Sequence, residues 1–115
     1  MNPAELMIHK KLSEVNPKVY DVILVVGGHG AMYDLAKNSD LHMIINSIYD
    51  QGGIVAAVCH GPAPLIWTIR PDGKSIIAGK KVTGFPDALE PEGILVSSPL
   101  VSNRKCEKLR SISLI

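Results

Sequence analysis

Apolar positions along this chain fall into two kinds of run, and the two kinds alternate. Val22-Ile23-Leu24-Val25-Val26 and Ile54-Val55-Ala56-Ala57-Val58 are unbroken apolar runs flanked by turn residues. Runs of this length with no alternation suit strands covered on both faces, as in a parallel sheet. Between them Leu41, Ile44, Ile45, Ile48 and Tyr49 recur at i, i+3, i+4, i+7 and i+8, the spacing of one helix face. The spacing predicts a helix over residues 40–51, capped by Ser39 or Asp40 and ended by Gly52-Gly53.

The remaining signals are weaker. Leu6, Ile8, Leu12 and Val15 give a loose helical pattern over residues 4–15 that Asn16-Pro17 stops. Ala31 to Ala36 suit a short helical turn behind Gly27-Gly28-His29-Gly30. Ala63 to Ile69, carrying Trp67, suit a short apolar helix, and Arg70-Pro71-Asp72-Gly73-Lys74 reads as a turn. Short strands are expected at Ile76-Ile77, over Val82 to Phe85 and over Ile94 to Ser97, with a loop or helix entry from Pro86 to Glu90. Residues 99–115 have no consistent period, and no internal repeat or low-complexity segment is present. The order strand, glycine-rich turn, helix, strand, sharp turn, helix is a β-α-β-α arrangement. It implies an α/β fold on a parallel sheet with right-handed crossovers.

Composition narrows the function classes. A chain of 115 residues holds a single small domain with a lean core, and 46% hydrophobic residues exclude a disordered chain. A net charge of +1 with no long run of one sign offers no handle for nucleic acid or an anionic membrane. No apolar run has membrane-spanning length, and Met1-Asn2-Pro3-Ala4-Glu5-Leu6-Met7 lacks the build of a signal peptide. The two cysteines, Cys59 and Cys106, are too few for a disulfide framework, although a single disulfide stays open. A reducing, cytoplasmic setting fits, with the nucleus as a second location.

The chemistry concentrates at Cys59. It lies where the second strand stops and a helix is expected to start, with Gly61 for a tight turn and Pro62 for the first helical position. At such a place a helix dipole and free N–H groups favour an anion, hence a thiolate. Small neighbours (Ala56, Ala57 and Gly61) let the backbone bend sharply, as in a nucleophile elbow, and His60 follows directly. The alternative is a buried, inert thiol. Gly28-His29-Gly30 invites a dinucleotide reading, but Tyr33 stands where the third glycine belongs and no acidic residue follows at the required place. The glycines better suit close approach of backbone N–H groups to a ligand or developing oxyanion. His29 itself can equally be an ordinary turn residue. His29, His42, His60 and Cys59 have no recognised metal spacing, so no metal and no cofactor is expected.

Tyr20-Asp21-Val22 running to Gly27-Gly28-His29-Gly30-Ala31-Met32-Tyr33-Asp34, then Ala57-Val58-Cys59-His60-Gly61-Pro62-Ala63, then Gly79-Lys80-Lys81-Val82-Thr83-Gly84-Phe85-Pro86-Asp87-Ala88-Leu89-Glu90, resemble the ThiJ/PfpI superfamily. Within it the resemblance is to a branch of stress proteins described as glutathione-independent glyoxalases and holdase chaperones, and it covers roughly residues 12–90. It implies a flavodoxin-like three-layer α/β sandwich, a homodimer, and conversion of the 2-oxoaldehyde methylglyoxal to D-lactate. By position, Cys59 matches the nucleophile, His60 its base and Glu90 the acid that orients the histidine. Gly28 and the His60 N–H match the oxyanion donors, with His29 and Gly30 beside them at the substrate. A further family glutamate near an N-terminal strand has no counterpart here, since neither Glu5 nor Glu14 stands in its context. Residues 91–115 are expected to diverge, and the chain, one partial domain over residues 1–115, resembles an internal fragment. Three functions follow: a lyase, a stress protein that binds unfolded clients through exposed apolar surface with Cys59 as redox sensor, or an inactive remnant.

Overall fold

The two unbroken apolar runs become adjacent strands. Val22–Val25 forms β1 and Ile54–Ala57 forms β2, each ending one residue before its run does. They pair in parallel, with register Val22↔Ile54 through Val25↔Ala57. The computed structural model describes residues 9–80 and residue 82. Leu12–Glu14 and Pro17–Val19 are single 3₁₀ turns before β1, and a π-helical turn spans Ala31–Leu35. Helix α1 is Ser39–Asp50 and helix α2 is Pro62–Trp67.

Helix α1 forms where its apolar spacing predicts, and Leu41, Ile44, Ile45 and Ile48 are buried. Its cap, however, is neither Ser39 nor Asp40. Asn38 is still extended, at φ −72° and ψ 116°, and its Oδ1 accepts the Leu41 N–H at 2.9 Å. Both expected caps are already inside the helix, so their side chains cannot reach back to its first free amides. Asn38→Ala is expected to destabilise the fold by about 1 kcal/mol, measured by chemical denaturation.

Val25, Leu41, Ile45, Leu65 and Ile76 form the main core, with Ile23, Val55 and Ala57 packed against it. One face of the sheet is therefore covered. The expectation that both strands are covered on both faces does not hold among the described residues. Val22, Leu24, Val26, Ile54 and Val58 are between 51% and 65% exposed. Side chains alternate along a strand, and the register aligns Val22 with Ile54, so these residues share the uncovered side. An apolar run shows that a strand tolerates burial on both sides; what lies over it is a tertiary matter.

Three other expectations change. The helix around Trp67 starts at Pro62 and stops at Trp67, because Thr68 is extended and its Oγ1 donates to the Pro64 carbonyl at 2.8 Å. Ile76-Ile77 is a turn rather than a strand. Ala78 N–H bonds to Ser75 O at 2.9 Å and Lys80 N–H to Ile77 O at 3.0 Å, leaving a single Ile69↔Ser75 bridge. Of residues 4–15, only Leu12–Glu14 coils among those described. The Arg70–Lys74 turn is tied to α1 by a clamp the sequence did not suggest. Arg70 donates to Asp50 and, at 2.9 Å, to Asn46 Oδ1, while Asn46 donates to Ile69 O at 3.0 Å. Its hydrogen bond to Asp50 holds the Arg70 pKa above its ordinary value. Residues 4–8, the strands expected over 83–85 and 94–97, the loop from Pro86 to Glu90, Cys106 and residues 91–115 lie outside the described residues. Among the described residues, no helix is long and apolar enough to cross a membrane.

Candidate functional site

Parallel strands in register deliver their following loops side by side at one end of the sheet, where α/β folds place ligands. Here the two loops are Val26 to Gly30 after β1 and Val58 to Gly61 after β2. Cys59 adopts φ 58°, the only left-handed non-glycine residue among those described. A side chain in that region is strained by roughly 1–3 kcal/mol, so the surroundings must impose it. They do so through hydrogen bonds and close packing. Gly61 N–H donates to Val58 O at 2.8 Å, wrapping the chain around Cys59 and His60, and Val58 N–H donates to Val25 O at 3.1 Å. A β-carbon on Gly61 would fall on the Val25 carbonyl, and one on Gly27 would stand 2.7 Å from Cys59 Cβ. The elbow expected from the sequence is thus present, and its sharpness depends on glycines from both loops.

The chain brings three of the expected residues together. Cys59 is exposed, and its Sγ lies 3.2 Å from His60 Nδ1, within hydrogen-bonding distance for sulfur. His60 is buried, at 8% exposure. His29 is exposed on the neighbouring turn, and its ring meets the His60 ring edge-on, with centroids 4.9 Å apart and planes at 65°. Gly28 turns the chain at φ 97°, and its N–H donates to no backbone group among the described residues. Gly30 is helical, at φ −55° and ψ −30°, and starts the Ala31–Leu35 turn. Glu90, expected to orient His60, lies outside the described residues.

One expected feature is corrected. The start of α2 was to supply free N–H groups to the thiolate. Pro62 and Pro64 have no N–H, the Gly61 N–H serves Val58 O, and the Ala63 N–H serves His60 O at 3.1 Å. A helix of six residues also carries little macrodipole. The sulfur therefore meets an imidazole and a bent backbone rather than a helix terminus. No group of three or more His, Cys, Asp or Glu residues that could hold a metal occurs among the described residues. His42 is engaged elsewhere, its Nε2 donating to Ala36 O at 2.8 Å.

Gly27 was not singled out from the sequence. The signal was available, since two parallel strands paired by their apolar runs place Gly27 opposite Cys59. A thiol beside an imidazole on an exposed, strained turn is equipped to add to an electrophilic carbon and to move a proton.

Comparison with known proteins gives a consistent picture. The DJ-1/PfpI family matches residues 1–102, extending on both sides of the stretch that carries the sequence resemblance. A probable glutathione-independent glyoxalase, hsp3103 of Schizosaccharomyces pombe, is 44% identical over 92 residues, covering 77% of this chain and 35% of that protein. The crystal structure of glyoxalase III from Candida albicans superposes with a TM-score of 0.73 at 34% identity, covering 90% of this chain and 46% of the other. Rapid Encystment Protein 24 kDa of Francisella tularensis superposes with a TM-score of 0.79 at 34% identity, covering 92% and 48% respectively. The chain thus spans about a third of that curated relative and under half of each solved structure.

Proposed function

Because the chain belongs to the DJ-1/PfpI family, we propose that it acts on a small 2-oxoaldehyde as a glutathione-independent glyoxalase, with Cys59 as nucleophile. The observation that carries this reading is the 3.2 Å contact between Cys59 Sγ and His60 Nδ1 on a left-handed elbow. The names of the relatives support the substrate class.

The chemistry needs no oxidant or cofactor. The Cys59 thiolate adds to the aldehyde carbon of methylglyoxal, forming a C–S bond, and the carbonyl oxygen takes up the negative charge and then a proton. His60 removes the hydrogen from that carbon, and a proton is returned to the neighbouring carbon, giving a thioester of lactic acid. Water adds to the thioester, the C–S bond breaks, and the thiolate is regenerated. The sum is methylglyoxal plus water giving D-lactate. The Gly28 and His60 N–H groups stabilise the oxygen that becomes negative, His29 and Gly30 line the substrate, and Glu90 orients His60. The working unit is a homodimer in the cytoplasm.

The test is D-lactate formation from methylglyoxal in the absence of glutathione, read with a stereospecific lactate dehydrogenase. Production well above the buffer rate is expected, and production at the buffer rate overturns the lyase reading.

A second reading is favoured by one observation, the apolar sheet face of Val22, Leu24, Val26, Ile54 and Val58 that is left exposed among the described residues. A contiguous patch of this kind suits binding of unfolded clients. Light scattering of a heat-denatured client should fall in the presence of the chain. No suppression at equimolar chain removes this reading.

A further inference from the structure

His29 and His60 arrive at each other from the loops after different strands, and the segments they lead into pack together. His29 leads into the Ala31–Leu35 turn, whose start is closed by Ala31 N–H to Gly28 O and Met32 N–H to His29 O, both at 3.1 Å. His60 leads into α2. The two segments pack on one another: Met32, Ala36 and Ala63 form a second buried cluster against Trp67. The Lys37 ammonium stands 4.6 Å from the Trp67 ring centroid and closes the same junction. A π-helical turn at this point fits the tendency of such turns to sit beside functional sites.

The consequence bears on the orientation of His60. The Cβ–ring torsion of histidine is broad and close to two-fold, so the imidazole can present either Nδ1 or a carbon to the sulfur. Only the first orientation allows the 3.2 Å contact with Cys59 Sγ. The His29 ring meets the plane of His60 edge-on in that orientation, with centroids 4.9 Å apart and planes at 65°.

We propose that His29 is a positioning residue: its ring, edge-on to His60, keeps the His60 Nδ1 on the Cys59 sulfur. This deepens the lyase reading, on which its catalytic consequence rests, but its effect on the thiol stands without it. Aromatic pairs of this kind contribute enough to change the population of the productive orientation by about two- to tenfold.

The experiment uses the full chain with His29→Ala and His29→Phe. Two quantities are followed at fixed neutral pH. One is the alkylation rate of Cys59 by iodoacetamide, separated from Cys106 by peptide mass spectrometry. The other is the imidazole NMR signals of His60. His29→Ala should slow alkylation about two- to tenfold and shift or broaden the His60 signals. His29→Phe, which keeps an aromatic ring without its nitrogens, should restore both. Unchanged behaviour of His29→Ala overturns the proposal. So does a His29→Phe variant as impaired as His29→Ala, which would assign the effect to the ring nitrogens. With methylglyoxal as substrate, His29→Ala should lower kcat by about the factor by which it slows alkylation, and His29→Phe should restore it. If the parent chain makes no D-lactate but the alanine and phenylalanine pattern holds, the lyase reading fails and the positioning role stands. If the parent makes D-lactate and His29→Ala equals it in rate and alkylation, the positioning role alone fails.

Discussion

Gly61→Ala is expected to unseat the elbow and lower the stability of the fold by about 3 kcal/mol or more. The new β-carbon would fall on the Val25 carbonyl and stand 2.8 Å from the Val58 carbonyl. Neither oxygen can retreat freely. Val25 O accepts the Val58 N–H at 3.1 Å, extending the pairing beyond the end of the sheet, and Val58 O accepts the Gly61 N–H at 2.8 Å. Relief of the clash therefore breaks hydrogen bonds worth about 0.5–1.5 kcal/mol each and shifts the backbone that holds Cys59 at φ 58°. For a domain of this size the loss corresponds to a fall in Tm of about 4–8 °C per kcal/mol. Gly28→Ala supplies the contrast. Its β-carbon meets nothing within 4 Å, so only the left-handed backbone at φ 97° opposes it, at about 1–2 kcal/mol. Thermal unfolding of the two variants side by side separates steric closure from backbone strain. Equal Tm values would show that the Val25 end of the sheet yields to the added methyl group and that close packing at Gly61 does not hold the elbow.

On the proposed lyase reading, Cys59→Ser is expected to lower D-lactate formation by about a thousandfold or more. Serine keeps the shape of the side chain but replaces the sulfur beside His60 with a hydroxyl, a much weaker nucleophile. Stability should change by less than about 0.5 kcal/mol, because the sulfur is exposed and its loss opens no cavity. On the client-binding reading, suppression of aggregation should survive, since the sheet face exposed among the described residues lies on the strands and not at the thiol. Tm, lactate production and light scattering on one preparation of the variant distinguish these effects. Full lactate production by Cys59→Ser would exclude addition of the thiol to substrate, and loss of both activities at an unchanged Tm would tie client binding to the cysteine.

The chain shows unequally how much of this site is legible in advance. Val22–Val25, Ser39–Asp50 and Ile54–Ala57 lie close to where their apolar spacing puts them, because strand and helix periods depend on neighbours along the chain. The turn at Cys59 was equally legible, since Gly61 and Pro62 constrain the backbone locally. The helix cap was misplaced by a residue or two because Asn38, Ser39 and Asp40 can all serve, and only the path of the incoming chain selects among them. The failure of the helix terminus to offer free amides follows from Pro62 and Pro64, which were readable, and from Gly61 and Ala63 bonding back into the turn, which was not.

By itself the sequence determined the β-α-β-α order, the parallel pairing that order requires, and a cysteine on a sharp turn followed by histidine. These rest on period, turn chemistry and chain handedness, all of which act over a few residues or one crossover. The tertiary structure alone decided that His29 reaches His60 and that one face of the strands is left uncovered among the described residues. Those facts depend on how closely two loops approach and on what packs against a surface, and spacing along a chain carries no information about either distance.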